Sequence, residues 1–235
     1  MKIFHAQDPQ HAAEAAAELV NQFLKTHGKN PVLLLLSGGS ALSVTNYVDE
    51  GLLGENLTIG MADERFTADP ELNNFAALQA TPFYELAQDK GSNFIGTLPR
   101  PGETLAQISR RFGNALDEWR TKHPQGKIFA VLGMGADGHT AGIFPFQAQE
   151  AEFSRLFLGH DRVVGYNNGG RKPPPERFTV TLSFFKLIDQ AVVFISGQEK
   201  KPALEAVLKK TGKLNELPAL GWQQIKSVGI FTDIS

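Results

Sequence analysis

The chain is 235 residues long with 42% hydrophobic residues, enough to bury a sizeable core, and the length alone permits one large domain or two small ones. Lys plus Arg number 23 against 25 Asp plus Glu, and a net charge of −2 provides no global positive field for nucleic acid, so the expected partner is a small molecule. The absence of cysteine excludes thiol catalysis, cysteine-ligated zinc and disulfides together, and no apolar run approaches the roughly 18 residues of a membrane helix.

The first expected strand is 2–5. The opening residues carry charged and polar side chains where a secretory signal needs an apolar core, so the expectation is a cytoplasmic protein without a membrane partner. An Ala-rich helix follows over 9–26, with Asp8 placed to cap it, Pro9 at its first position and Gly28 just past its end. The wholly apolar strand 32–36 runs into Ser37, Gly38, Gly39 and Ser40 and then an expected helix over 41–49. Two glycines let the backbone approach a ligand closely, free N–H groups at a helix start attract anions, and the hydroxyls add donors, so this stretch resembles a phosphate cradle. An ordinary tight turn with Ser40 as the helix cap is the plainer reading.

A strand at 57–62 delivers Asp63, Glu64 and Arg65 to its carboxyl end, where open α/β sheets bind ligands, although such a run can equally be a solvated loop. Expected helices at 73–79 and 105–122 lead to a strand at 128–132 and then to the glycine-rich stretch VLGMGADGHTAGIFP, which carries Asp137 and His139. Gly133, Gly135 and Gly138 formally satisfy the dinucleotide fingerprint, but that motif must open a long helix and be followed by an acidic residue ending a second strand. Here Pro145 interrupts the helix, and Glu150 and Glu152 lie in polar sequence with no strand ahead of them, which excludes a dinucleotide.

What remains is an acid and an imidazole on a turn at a strand's end. A neutral imidazole takes a proton from water near neutral pH, and a nearby carboxylate orients it and stabilises its protonated form. Two candidate ligands without a third at recognisable spacing argue against a metal. In the plainer alternative Asp137 caps a following helix and His139 bonds backbone.

The loop 167–176 contains three prolines and delivers Arg177 to an expected strand at 178–182. Strand 191–195 opens a helix over 199–209 with Lys200 in its first turn, where the helix dipole penalises a cation unless an anion is nearby; a surface lysine beside Glu199 needs no such ligand. A last strand covers 227–231. This alternation of apolar runs and amphipathic stretches predicts an α/β fold in a single domain over 1–235: a mostly parallel sheet with helices on both faces.

Together the strand ends describe one site with an anion pole and an acid/base pole. LSGGS, ADER, GMGADGHTAGIFP, KPPPERFTVTL and SGQEK, in that order, resemble the 6-phosphogluconolactonase family, within the superfamily that also contains glucosamine-6-phosphate deaminase. The resemblance spans about residues 30–210 and implies a modified Rossmann-like fold, a sugar-phosphate substrate and no metal or organic cofactor. It makes His139 the base that activates water against the lactone carbonyl and then returns the proton to the departing ring oxygen, with Asp137 holding the imidazole. It places Ser37, Gly38, Gly39 and Ser40 along the substrate and Arg177 and Lys200 on its phosphate. Asp63 and Arg65 join the substrate-binding set, Arg65 as a second cationic group.

The resemblance also separates the branches. Deaminases carry a glutamate five residues after the histidine, where this chain has Phe144, and tend to have tyrosine in place of Arg65. A hydrophobic Phe144 cannot shuttle a proton, which favours lactone hydrolysis over ring opening and deamination. A non-catalytic sugar-phosphate sensor is the third reading, and no basic helix-turn-helix pattern supports it. The chain departs from the family pattern at Ala41, Leu42, Phe66, Thr67, Asn73 and Gly142, while Asn74 matches it. These departures touch no proposed proton carrier or phosphate ligand and bear on contacts to sugar hydroxyls.

Overall fold

The computed structural model describes residues 1–147 and 149–235. Its centre is a seven-stranded sheet built from β1 (Lys2–His5), β2 (Val32–Leu36), β3 (Leu57–Met61), β5 (Asn93–Ile95), β6 (Lys127–Gly133), β9 (Gln190–Ile195) and β10 (Val228–Thr232). The order is β1-β10-β9-β6-β2-β3-β5 and every pairing is parallel. Side chains alternate across each strand. Leu34 and Leu36 of β2 and Phe129 and Val131 of β6 therefore enter one core, and Leu33, Leu35, Ile128 and Ala130 enter the other.

The first core is roofed by α1 (Pro9–His27), α2 (Asn74–Gln79) and α3 (Pro82–Asp89). Helix α1 begins as its sequence dictates: extended Asp8 accepts from the His11 N–H at 2.9 Å, and Pro9 stands at the first helical position. Its small face, Ala12, Ala13, Ala16 and Ala17, is fully buried against the sheet. The second core is covered by α4 (Leu105–Lys122), α5 (Glu150–Phe157), α6 (Leu182–Phe185) and α7 (Lys201–Lys209).

A second sheet of three antiparallel strands lies over that face in the order β4 (Asp63–Arg65), β8 (Glu176–Val180) and β7 (Val163–Asn167). The expected strand 178–182 is thus β8, begins two residues earlier, and belongs to this antiparallel sheet rather than to the main one. It stops because Thr181 turns to cap α6, accepting from the Phe184 N–H at 3.2 Å.

The expected helix 41–49 is instead a 3-10 helix, Gly39–Tyr47. The Ser43 hydroxyl donates to the Ser40 carbonyl at 2.8 Å and that of Thr45 to the Leu42 carbonyl at 2.7 Å, three residues back in each case. β-Branched Val44 and Thr45 add little α-helical preference. Ser40 lies inside this helix and does not cap it; Gly38 stands at the cap position. Among the described residues no helix is long and apolar enough to cross a membrane.

From β2 the chain moves outward through β3 and β5 and then returns to place β6 on β2's other side. The carboxyl ends of β2 and β6 therefore flank the point at which the strand order reverses, the crevice where open α/β sheets bind ligands.

Candidate active site at the carboxyl ends of β2 and β6

The turn after β6 is closed by two backbone bonds, from the Gly135 N–H to the His139 carbonyl and from the Gly138 N–H to the Gly135 carbonyl, both 3.0 Å. Gly138 has φ +78°, the left-handed conformation that glycine adopts without steric cost. The turn brings Asp137 Oδ1 to both the His139 backbone N–H at 3.1 Å and the ring Nδ1 at 2.5 Å. Beneath it the Thr140 hydroxyl donates to the Gly133 carbonyl at 3.0 Å and accepts from Trp222 Nε1 at 2.9 Å.

The His139 ring stacks on Phe144, centroids 4.4 Å apart and planes 21° from parallel. With Nδ1 engaged by Asp137, Nε2 remains, and among the described residues it makes no hydrogen bond. Partial burial raises the Asp137 pKa, but the hydrogen bonds from His139 outweigh it, and the carboxyl lies below its ordinary value. Asp137 orients an imidazole and caps no helix: the next one, α5, starts only at Glu150.

Across the cleft, Arg65 of β4 and Arg177 of β8 are direct partners in the antiparallel register. Like charges placed opposite each other on paired strands are destabilising, so this arrangement favours an anion between or beside them. Arg177 is only 2% exposed. Its Nε donates to the Pro174 carbonyl at 3.1 Å, and Nη2 donates to those of Lys172 and Pro173, each at 3.3 Å. Its guanidinium carbon also sits 5.5 Å from the centre of the Phe144 ring. Burial lowers the Arg177 pKa, Asp63 opposes that and Arg65 adds to it; an arginine nevertheless stays charged. The same bonds hold the 167–176 loop from within, helped by Asn168 Nδ2, which donates to the Lys172 carbonyl at 2.8 Å.

Arg65 Nη1 donates to the Leu72 carbonyl at 2.9 Å, while its buried Nε has no partner among the described residues. Lys200 lies in a short 3-10 turn, Gln198–Lys200, and stands at the N-cap of α7 rather than within its first turn. Burial lowers its pKa, and Lys172 across the cleft adds to that shift.

The third wall is the turn after β2. Ser37 is buried with an unpartnered hydroxyl, and Gly39 has φ +65°. At Gly38 a Cβ would fall 2.0 Å from Asn74 Oδ1, so only glycine lets this turn close on α2. Asn74 Nδ2 also donates to the Asp63 carbonyl at 3.0 Å. Beside it Glu64 is fully buried, and loss of water pushes its pKa up to about 7 against the pull of three backbone N–H donors.

Nine of the residues singled out in the sequence, Ser37, Gly38, Gly39, Ser40, Asp63, Arg65, His139, Arg177 and Lys200, line one cleft of about 280 Å³, and Asp137 stands behind His139. Lys172 also lines it; it opens the KPPPERFTVTL stretch, yet nothing in the sequence gives it a role of its own. Asn74 and Phe144, noticed only through the resemblance, complete the walls. Among the described residues no group of three or more His, Cys, Asp or Glu side chains could hold a metal ion.

The family model of glucosamine-6-phosphate isomerases and 6-phosphogluconolactonases matches residues 7–228. The chain belongs to this family. One family member, the 6-phosphogluconolactonase of Neisseria meningitidis, is 26% identical over 214 residues, covering 91% of this chain and 88% of its own. Among solved structures, a 6-phosphogluconolactonase from Shewanella baltica matches with a TM-score of 0.78 at 20% identity, over 98% of this chain and 96% of that one. A monomeric glucosamine-6-phosphate deaminase matches with a TM-score of 0.73 at 19% identity, over 99% of this chain and 97% of that one. Proteins of both names thus share this fold, and the fold by itself does not choose between their activities.

Proposed function

We propose that this chain hydrolyses 6-phospho-D-glucono-1,5-lactone to 6-phospho-D-gluconate, as one catalytic unit over 1–235 in the cytoplasm. The observation that carries this reading is a histidine with one ring nitrogen tied to a carboxylate, facing a cleft whose opposite wall holds two register-paired arginines. His139 Nε2 takes a proton from water as the water oxygen attacks the lactone carbonyl. Asp137 holds Nδ1–H and stabilises the imidazolium. The C1–O5 bond then breaks, and protonated His139 returns its proton to the departing ring oxygen, leaving a hydroxyl and a carboxylic acid that loses its remaining proton to solvent.

Arg65, Arg177 and Lys200 receive the phosphate, joined by Lys172 from the loop. The Ser37–Ser40 turn and Asp63 lie along the sugar, offering N–H and hydroxyl donors on one side and an acceptor on the other. The steps so written use no metal or organic cofactor. The apolar Phe144 beneath His139 offers no proton carrier for aldose ring opening, which supports hydrolysis over deamination.

The test is loss of freshly generated phosphorylated lactone against its spontaneous hydrolysis, with His139→Ala alongside. The expected outcome is acceleration by the wild type, with kcat about 10²–10⁴-fold lower in the variant and KM within about threefold. Acceleration that survives in the variant refutes the assigned base. No acceleration at all refutes the activity, and ammonia release from glucosamine 6-phosphate then decides for the deaminase reading.

A further inference from the structure

Glu64 is a buried carboxylate that the reaction above does not use. It sits on β4 between Asp63 and Arg65, and strand alternation turns it away from the cleft that they line. Both of its oxygens are occupied. Oε1 accepts the backbone N–H groups of Arg65 at 2.8 Å and Asn74 at 2.7 Å; Oε2 accepts the Phe75 N–H at 2.8 Å and the Thr97 hydroxyl at 3.2 Å. No Lys, Arg or His among the described residues pairs with it.

The donors belong to three segments, β4, the start of α2 and the stretch that holds Thr97, and one carboxyl group gathers all three. Asn74 and Phe75 supply the first two N–H groups of α2, and the Asn73 side chain takes the third, from Ala76 at 2.9 Å. The start of α2 is therefore spent inward, on holding the helix to β4, and not on a ligand. Asn74 passes this placement to the cleft: its amide reaches the Asp63 carbonyl at 3.0 Å and carboxylate at 3.4 Å, and its Oδ1 abuts Gly38. Arg65 is held twice, at its backbone by Glu64 and at its guanidinium by the Leu72 carbonyl just ahead of α2.

We propose that Glu64 is a positioning residue for substrate binding, its carboxylate fastening β4 to α2 so that Arg65 and Asn74 present one fixed wall to the ligand. This rests on the lactonase reading for its substrate but not for its geometry. A glutamine at 64 keeps the shape and the burial, but its NH₂ must take the place of one oxygen; set toward Thr97, whose hydroxyl can turn to accept, it still faces the Phe75 N–H donor against donor, and set the other way it faces two backbone N–H groups. The His139 turn lies on another strand and keeps its own anchors.

The experiment compares wild type, Glu64→Gln, Asn74→Ala and the double variant, by kcat and KM on the phosphorylated lactone and by calorimetric Kd for 6-phosphogluconate. Glu64→Gln is expected to raise KM and Kd together by about tenfold or more, with kcat within about threefold of wild type. Asn74→Ala is expected to raise both in the same direction, and the double variant to bind within about twofold of Glu64→Gln, because the two residues act in series. Wild-type KM and Kd in Glu64→Gln, even with a lowered Tm, would overturn the proposal, as would wild-type binding by Asn74→Ala. If Glu64→Gln does not fold, Asn74→Ala alone decides on the same criterion. A wild type that binds 6-phosphogluconate without accelerating hydrolysis refutes the lactonase reading alone and leaves the Kd comparison to judge Glu64.

Discussion

Adding one methyl group at Gly135 should disable the acid/base couple without touching either of its members. A Cβ at this position would stand 2.1 Å from His139 Cε1, 2.2 Å from Nδ1 and 2.6 Å from Asp137 Oδ1. Carbon atoms rest comfortably at about 3.5 Å, so the imidazole must retreat by more than about 1 Å. Phe144, stacked 4.4 Å away, limits how far the ring can move in its other direction, and Thr140 below the turn is locked to Gly133 and Trp222. The Nδ1···Oδ1 contact, now 2.5 Å, would open beyond hydrogen-bond range.

A misplacement of about 1 Å costs on the order of 10²-fold in rate, or about 2.7 kcal/mol of transition-state stabilisation. Gly135→Ala is therefore expected to lower kcat about 10²-fold or more with KM nearly unchanged, since the phosphate ligands stand on other segments. The colliding atoms are side-chain ends and Gly135 needs no positive φ, so the fold should survive and thermal unfolding should move little. Kinetics on the lactone together with calorimetry check both halves. A variant with wild-type kcat would refute the claim that the Asp137–His139 contact sets the rate; one that unfolds would refute the claim that the clash is confined to the side chains.

Gly142, where the family pattern carries serine, should reject that serine. A Cβ there would meet Thr179 Cβ at 2.9 Å and Asp63 Cβ at 3.1 Å, both on paired strands that cannot easily yield, and the overpacking should cost about 1–3 kcal/mol. Gly142→Ser is expected to lower Tm by roughly 3–10 °C by scanning calorimetry, and an unchanged Tm would contradict the packing argument. Glu64 should leave a mark on the pH dependence of stability, because its pKa is about 7 in the fold against an ordinary 4.5. The folded chain keeps this proton to higher pH than the unfolded chain, so the contribution is favourable at low pH and is lost between 4.5 and about 7. Replacing Glu64 by glutamine should flatten the stability curve in that window, and a slope equal to wild type would refute the assignment.

The architecture was legible where burial alone decides conformation. Strands β2, β6 and β9 are apolar runs covered on both faces, and the sequence marks them without help from partners. Strands β4 and β5 have three residues each, too few for any period to register, and β4 reads Asp-Glu-Arg, a stretch extended only because β8 pairs with it. Helix α4 spans the expected 105–122, and its start is written locally, with Thr104 and Gln107 forming a reciprocal cap. Helix α3, although Thr81 caps it and Pro82 opens it, is eight residues long and buries only Phe83 and Ala87, too short an apolar face for a helical period to register. The second sheet could not be foreseen, since β4 finds its partner β8 more than a hundred residues further along the chain.

The site follows the same division. Parallel strands bring all their carboxyl ends to one edge, so motifs that follow strands meet whatever their separation in the chain; strand ends collect the Ser37–Ser40 turn, His139 and Lys200, whereas Arg177 enters from the start of antiparallel β8 and Lys172 from the loop before it. What strand ends do not contain is register. The pairing of Arg65 with Arg177 depends on how β4 meets β8, and the placement of Phe144 depends on the path of the chain beyond the His139 turn. Phe144 then acquires a second role besides withholding a proton carrier: its ring lies 4.4 Å from the imidazole and 5.5 Å from the Arg177 guanidinium carbon. The base and the buried cation are thereby held apart by an apolar spacer that neither can cross. Such a separation suits a ligand whose anion and electrophilic carbonyl sit at opposite ends of a carbon chain, and a sugar phosphorylated at one terminus and oxidised to a lactone at the other has that shape.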